Sequence, residues 1–284
     1  MRIFLIVLFY LSLTINLQSQ IIYGRILGSE NGEPLEYASI GIVNTSFGVI
    51  TDENGYFKLE AREQDPSSKV RVSMIGYKPQ LFTIKELENR ENIIKLIISP
   101  IEIAEIIIKP TTKERKVGKT GHNKKCGLSG WGGLNERKGY EIGTNIELGD
   151  QPVIIKSLHI QLHRQSFDTS FYRLHIREIN DTIVTNELLT GNIIVSITNE
   201  SGWAKIDLDE YNLVHSGEIA ITLEWLRVAG NNTDRAMKIN DRIHDAYILF
   251  KNQKNHYGIY RWGTEAKWTI TKTCGPSIYL TIKE

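Results

Sequence analysis

Regular alternation of apolar and polar residues between positions 21 and 77 is the feature that most restricts the fold of this chain. In residues 38–42, 56–59 and 70–74, every second side chain is apolar. A period of two places these side chains on one face of a strand, so each run predicts a strand with one buried side.

Turn sequences separate these runs. Asn54 and Gly55 tolerate a positive φ, and the Asp52 side chain is suited to bonding the backbone two residues further on. Gly32 and Pro34 mark an earlier turn. Short strands separated by turns about every 8–12 residues predict an all-β sandwich.

The same residues resemble the carboxypeptidase-regulatory-like domain, a transthyretin-like sandwich common in exported proteins of Bacteroidetes-type bacteria. Three motifs carry the resemblance in order: Gly32-x-Pro34-Leu35-x-Tyr37-Ala38-Ser39-Ile40, Gly48-Val49-x-Thr51-Asp52-x-Asn54-Gly55-x-Phe57 and Ser73-x-Ile75-Gly76-Tyr77. A hydrophobic-acidic run at 101–108 is similar to the strand that usually closes that domain. The resemblance covers residues 21–108. It implies a module that is not itself catalytic and that commonly precedes outer-membrane transporters, peptidases or other exported modules.

Residues 1–20 have the pattern of a signal peptide rather than of a folded segment. Arg2 is followed by an apolar run at 3–13, and Ser19 offers a small residue for cleavage. The run is shorter than the roughly 18–20 residues of a membrane-spanning helix. No later segment is apolar enough to span a bilayer as a helix. We therefore expect an exported protein of the periplasm or outer membrane, without a transmembrane segment after cleavage.

The remaining length of the 284-residue chain suits a second modest domain. Residues 109–125 contain seven Lys or Arg and one acidic residue, which predicts an exposed basic linker. A phosphate-rich partner is the alternative for this tract. The formal net charge of +1 argues against a general polyanion binder, and we expect no nucleic-acid partner.

Residues 126–284 again alternate as strands do, and they predict a jelly-roll-like β-sandwich of about eight or nine strands. This part is loosely similar to a C-terminal sandwich of some exported Bacteroidetes proteins, a resemblance that implies no activity. The clearest alternations place three apolar residues opposite three polar ones on each of two strands. They are Leu158, Ile160 and Leu162 against His159, Gln161 and His163, and Tyr172, Leu174 and Ile176 against Arg173, His175 and Arg177.

Two cysteines lie near the ends of this second domain. In an oxidising compartment, Cys126 and Cys274 are candidates for a disulfide between its first and last strands. Two separate thiols are the alternative.

An aromatic cluster is the candidate ligand site. Tyr260 and Trp262 share strand parity, so both are expected on one face. Sugars stack on aromatic rings and take directed hydrogen bonds from neighbouring polar groups. The alternative is that these rings fill the core. The candidate binding residues are Tyr257, Tyr260, Arg261, Trp262 and Trp268.

No metal, cofactor or catalytic site is predicted. His175 and Glu178 have the H-x-x-E spacing of a zinc peptidase, but on a strand they point to opposite faces. His159, His163 and His175 share an outward parity and are interpreted as surface histidines, although the sequence does not tell whether they meet. Acidic residues such as Glu141 are expected in solvent at strand ends.

The sequence thus predicts an exported, non-catalytic binding or assembly module, and not an enzyme. A carbohydrate-binding protein that uses the aromatic cluster is the first alternative. A hydrolase and an accessory to an outer-membrane transporter are further alternatives. The expected partner is a glycan or a protein of the cell envelope.

Overall fold

A computed structural model describes residues 20–99, 113–132, 138–239 and 242–284. Residues 1–19 of the predicted signal peptide lie outside this part of the chain, as does the predicted closing strand at 101–108. Within the described residues, no helix has the length and apolar character of a membrane span.

The N-terminal sandwich has two antiparallel or mixed sheets and one short helix. Its strands are β1 Ile21–Gly28, β2 Ser39–Ile42, β3 Gly48–Ile50, β4 Tyr56–Glu60, β5 Lys69–Ser73, β6 Gln80–Thr83 and β7 Glu91–Leu96, and helix α1 is Ile84–Leu87. One sheet has the order β4-β1-β7 and the other the order β3-β2-β5-β6. The alternating apolar side chains of both sheets meet in one core, which includes Ile22, Ile40, Phe57, Leu59, Val70 and Val72.

The C-terminal sandwich is larger. Its strands are β8 Glu114–Gly118, β9 Leu128–Gly132, β10 Tyr140–Glu147, β11 Val153–Gln165, β12 Phe167–Asn180, β13 Ile183–Glu187, β14 Ile193–Ile197, β15 Gly202–Asp207, β16 Leu213–His215, β17 Glu218–Asn231, β18 Met237–Ile239, β19 Arg242–His244, β20 Tyr247–Lys254, β21 Gly258–Trp262, β22 Trp268–Thr271, β23 Cys274–Pro276 and β24 Ile278–Lys283. Three short 3₁₀ helices lie between them at Lys124–Cys126, Asp209–Tyr211 and Thr233–Arg235.

Two sheets form the layers of this sandwich. The seven-stranded sheet has the order β13-β12-β17-β10-β21-β22, and β14 also pairs with β12. The eight-stranded sheet has the order β23-β20-β11-β24-β8, with β15 and β16 on β11 and β9 on β20. Strands β18 and β19 form a separate two-stranded antiparallel sheet.

Aromatic rings fill the centre of the core between these layers. The Trp225 ring lies 5.3 Å from Trp131, 5.6 Å from Phe167 and 5.9 Å from Tyr172, measured between centroids. Leu158, Ile160 and Leu162 of β11 reach this core from one sheet. Tyr172, Leu174 and Ile176 of β12 reach it from the other. The prediction of an all-β chain built from sandwiches is therefore confirmed.

Part of the predicted basic linker is a strand. Residues Glu114–Gly118 pair antiparallel with Ile278–Lys283 at the edge of the eight-stranded sheet. Val117 is buried in the core, whereas Lys116 faces solvent. The prediction of a solvated linker is wrong for this part, because these residues form an edge strand: Arg115 shares the parity of Val117 and pairs with Glu284. Residues 109–112 lie outside the described residues.

A disulfide joins Cys126 to Cys274, 148 residues apart in sequence. Cys126 ends a 3₁₀ helix that precedes β9, and Cys274 begins β23. Both β9 and β23 pair with β20, so the bridge closes one end of the eight-stranded sheet.

We expect His256 to make the stability of this sandwich depend on pH. The Thr144 hydroxyl donates to the carbonyl of Tyr257 at 2.6 Å, and it lies 2.9 Å from His256 Nε2. Burial, with a smaller contribution from Lys119, lowers the pKa of His256 to about 4. Because the unfolded chain binds this proton more readily, stability is expected to fall by up to about 3 kcal/mol as the pH drops from about 6.5 to about 4.

Urea denaturation of the wild type and of His256→Gln at pH 7 and pH 4 tests this. Carboxylates that titrate in the same range contribute equally to both proteins, so the difference between the two losses isolates His256. We expect the free energy of unfolding to fall by about 2–3 kcal/mol more in the wild type than in the variant between pH 7 and pH 4. Equal losses would contradict the assignment.

Candidate binding site between the two sandwiches

A row of charged side chains crosses the outer face of the seven-stranded sheet. Glu141 of β10 lies opposite Arg261 of β21 on one side and opposite Glu224 of β17 on the other. Glu224 in turn lies opposite Arg173 of β12. Directly opposed side chains on neighbouring strands are close enough to pair. The register therefore sets two carboxylates between two guanidinium groups.

Strand alternation explains why these groups point away from the core. Tyr172, Leu174 and Ile176 are in the core, so Arg173, His175 and Arg177 lie on the opposite face of β12. That face is nevertheless buried: Arg173 is 1% exposed and His175 5% exposed. The N-terminal sandwich covers it.

Main-chain groups make much of the contact between the sandwiches. Arg173 Nη1 donates to the Tyr37 carbonyl at 2.8 Å, and the Asn44 N–H donates to the Glu265 carbonyl at 3.0 Å. Arg71 pairs with the Glu265 side chain at 2.8 Å. Tyr37 has a φ of +62°, in the left-handed region. Its hydroxyl also accepts from Arg227 Nε at 2.9 Å, so contacts at both ends hold this unusual conformation.

The Glu224 carboxylate is held mainly through one oxygen. Arg173 Nη2 lies 2.6 Å from Glu224 Oε2, and His175 Nε2 lies 2.8 Å from the same oxygen. Burial raises the pKa of Glu224, but Arg173 and His175 outweigh burial and lower it to about 2. Glu224 is therefore ionised in the folded protein across the physiological range.

His175 bridges two carboxylates. Its Nδ1 lies 2.6 Å from Glu187 Oε2, while its Nε2 faces Glu224. Burial raises the pKa of Glu187, but Arg177 and His175 offset this and keep the pKa below its ordinary value. Since both carboxylates are ionised, each contact needs an N–H from the ring. The geometry assigns His175 as the imidazolium.

A second cluster surrounds Glu141. Arg177 Nη1 donates to Glu141 Oε2 at 2.7 Å, the Thr222 hydroxyl donates to the same oxygen at 2.7 Å, and Arg261 pairs with Oε1. Burial raises the pKa of Glu141, but Arg177 and Arg261 hold it well below its usual range. Both guanidinium groups lie over the Trp268 ring, 5.1 Å and 4.8 Å from its centroid. The expectation that Glu141 is solvated is wrong: it is 1% exposed, and Arg177, Thr222 and Arg261 surround its carboxylate.

A cavity of about 290 Å³ lies between this charged row and the N-terminal sandwich. The N-terminal side supplies hydroxyl groups and an aromatic ring: Ser39, Ser73, Ser99 and Tyr77. Thr185 and Ser99 are exposed at its rim. The opening therefore leads from solvent to the buried charges.

Two buried polar atoms that belong to lining residues lack a hydrogen-bond partner within the described ranges. They are Glu224 Oε1, an acceptor, and Arg261 Nε, a donor. Buried polar groups in folded proteins are nearly always paired, so each such atom requires an explanation. To satisfy both atoms, a ligand would have to donate a hydrogen bond to Glu224 Oε1 and accept one from Arg261 Nε.

A metal ion does not fit this site. Glu141, His175 and Glu224 offer ligand atoms that lie within 4.8 Å of one another. However, Arg173 and Arg177 already neutralise the two carboxylates, and both nitrogens of His175 face carboxylate oxygens. A cation added here would meet guanidinium groups and an imidazolium.

The five residues of the predicted aromatic site lie on two surfaces. Arg261 and Trp268 face each other across β21 and β22 and line the cavity. Tyr260 lies on the opposite face of β21, where its hydroxyl is 2.8 Å from Ser129 Oγ and its ring packs against the core. The Trp262 ring stacks on Tyr260 at 5.9 Å and is 37% exposed. Tyr257 and Trp268 both pack against a small cluster that includes Ile259, which shares the strand parity of Arg261.

The three outward histidines do not converge. His159 and His163 belong to β11 in the eight-stranded sheet, and their apolar neighbours face the core. His175 lies on the outer face of the other sheet. The sandwich core separates them.

Sequence reasoning placed Arg173, His175 and Arg177 on the correct face but missed their role as a site. The available signal was three ionisable residues at alternate positions in the middle of a long apolar strand. Glu224 gives a similar signal, since Leu223, Trp225 and Leu226 beside it are all buried.

The comparison with protein families identifies the sandwich that covers this site. Residues 22–108 match the family model of the CarboxypepD_reg-like domain. This segment is a carboxypeptidase-regulatory-like domain. The match agrees with the motifs found in the sequence. A search of curated proteins found no match to the chain. The regulatory-like domain thus forms one wall of the cavity, and the C-terminal sandwich supplies the charged floor.

Proposed function

We propose that this protein is an exported, non-catalytic binding module that holds a small polar ligand in the cavity between its two sandwiches. The observation that carries the proposal is the unpaired Oε1 of Glu224, a residue 1% exposed that lines a cavity of about 290 Å³. A buried carboxylate oxygen without a donor is costly unless a ligand or ordered water supplies one.

The pairing requirements favour a hydroxylated ligand. Glu224 Oε1 needs a donor and Arg261 Nε–H needs an acceptor, and a hydroxyl group serves as both. On the opposite wall of the cavity, the hydroxyl groups of Ser39, Ser73 and Ser99 can also donate and accept hydrogen bonds. The volume is at the small end of ligand pockets, which suits one sugar unit of a glycan. For the carbohydrate alternative, the lining of the cavity therefore favours Arg261 and Trp268 over Tyr260 as the binding residues.

The electrostatics support binding rather than catalysis. General acid–base catalysis needs a group whose pKa lies near the working pH. Glu141, Glu187 and Glu224 all have lowered pKa values because guanidinium or imidazolium groups face them. His175 uses both ring nitrogens to hold carboxylates. The disulfide between Cys126 and Cys274 and the leader-like residues 1–20 support export.

A glycan array tests the proposal. We expect the wild type to bind a defined set of glycans, and Thr185→Trp to reduce that binding at least about tenfold by filling the opening of the cavity. Thr185 is exposed, so this change leaves the buried charges in place. Ile183→Trp is the matched control: Ile183 belongs to the same strand, is 65% exposed and does not line the cavity.

Two results would contradict the cavity as the site. Binding that survives Thr185→Trp but is lost in Trp262→Ala would move glycan recognition to the exposed ring on β21. An array without any bound glycan would instead favour assembly with a protein of the cell envelope.

A further inference from the structure

A second surface, independent of the cavity, gathers positive charge. On the outer face of the eight-stranded sheet, Lys116, Lys205 and Lys251 surround His159 and His163; we call these five residues the cationic face. Their side chains point away from the core, because the apolar residues next to each of them in sequence lie in the core. Those neighbours are Val117, Leu158, Ile160, Leu162, Ala204, Ile206 and Phe250.

Register brings these residues together across four strands. His159 lies opposite Lys205 of β15 on one side and opposite Tyr279 of β24 on the other. Lys116 of β8 lies with its Nζ 5.1 Å from the centroid of the Tyr279 ring. Neighbouring strands are about 4.8 Å apart, so the face spans about 14 Å from Lys116 to Lys205.

Carboxylates do not balance this charge. Lys205 lies 3.7 Å from Asp207, and both side chains are well exposed, which makes the pair weak. Lys116 and Lys251 have no ion pair within the part of the chain that the structure describes. Burial lowers the pKa of His159, and the positive charges of Lys205 and Lys116 lower it further. Although the net charge of +1 predicts no general affinity for polyanions, the charge is concentrated here.

Flat aromatic groups lie within the same face. The His159 ring stacks on Tyr279 with 4.2 Å between centroids, and Trp203 meets the edge of Tyr279 at 4.9 Å. Among the described strand residues of the eight-stranded sheet, Leu128 is the one large apolar side chain that is exposed. A bilayer would need more apolar surface than this. A flat sheet with spaced cations suits an extended, hydrophilic, negatively charged chain.

We propose that the cationic face binds an acidic polysaccharide. The lysines attract its carboxylate or sulfate groups. Trp203 and His159 offer rings beside which the sugar units lie. This proposal does not depend on the cavity between the sandwiches, and each can fail alone.

Binding of dextran sulfate, with uncharged dextran as the reference polymer, tests the proposal on the purified protein. We expect dextran sulfate to bind, dextran not to bind, and the affinity to fall as salt is added. The triple variant Lys116→Gln/Lys205→Gln/Lys251→Gln should bind about tenfold more weakly, which corresponds to about 1.4 kcal/mol. The control is Lys58→Gln/Lys85→Gln/Lys95→Gln, which removes the same charge from exposed positions of the N-terminal sandwich and should keep wild-type affinity.

Three results would overturn the proposal. Equal weakening in both triple variants would mean that only net charge matters. Unchanged binding in the first variant would show that the cationic face is not used. Binding of anionic phospholipid vesicles through these lysines, with none of dextran sulfate, would assign the face to a membrane. Thermal melting of each variant verifies that it is folded.

Discussion

Replacing Glu224 by Gln is expected to destabilise the folded protein by about 3–5 kcal/mol. The amide has nearly the shape of the carboxylate but not its charge, so Arg173 and His175 would be left as buried cations without their shared partner. Urea denaturation at neutral pH measures the change in the free energy of unfolding. For the wild type, the contribution of this carboxylate should be lost as the pH falls from about 4.5 towards about 2, because its pKa is lower in the folded state.

Two further variants make this test specific. Glu178→Gln lies on the same sheet but in solvent and should change stability by no more than about 0.5 kcal/mol. The double variant Arg173→Met/Glu224→Leu removes both charges and should be more stable than Glu224→Gln alone, since no unpaired charge remains in this pair. A loss below about 1 kcal/mol in Glu224→Gln would show that the row is less buried than the structure indicates.

Replacing both Cys126 and Cys274 by Ser is the second change with a large expected effect. We expect the free energy of unfolding to fall by about 2–5 kcal/mol. The bridge spans 148 residues, nearly the whole C-terminal sandwich. In the chain-entropy model, so long a closed loop removes much of the freedom of the unfolded chain, and the model value of ~5 kcal/mol is an upper figure. Chemical denaturation of the wild type and of the double Ser variant measures the difference.

Reductant supplies the control for this second test. Dithiothreitol should lower the midpoint of wild-type unfolding towards that of the Ser variant, and it should leave the variant itself unchanged. A Ser variant as stable as the oxidised wild type would contradict the expected role of the bridge.

Strand positions were predictable because their signal is local. The core and outer faces of β11 and β12 follow from a period of two, and the structure places Leu158 and Tyr172 inward as expected. The strand within the basic tract was harder to predict from the sequence, since Val117 is the only buried residue in the described strand of Glu114–Gly118. One apolar residue among charges gives no detectable period.

The site was not predictable, because burial of an outer face depends on what covers it. Arg173 and the Tyr37 carbonyl that it binds are 136 residues apart. The apolar–polar alternation of β12 assigns Arg173 to the outer face. It carries no information on whether a second domain docks on that face. For the same reason the sequence did not indicate that two guanidinium groups lie over the Trp268 ring.

Docking of the regulatory-like domain through its main chain has a consequence for engineering and for divergence. Tyr37 and Ile40 are bound through their carbonyl oxygens, and Asn44 through its N–H. A β-carbon on Gly41 or Gly48 would lie within 2.4 Å of the Thr264 hydroxyl oxygen. The contacts between the two sandwiches therefore depend more on the position of the backbone at residues 37–48 than on the identity of most side chains. A sandwich that keeps this backbone path, Ser39 and Arg71 should dock in the same way, whereas a methyl group added at Gly48 would require the Thr264 side chain to move.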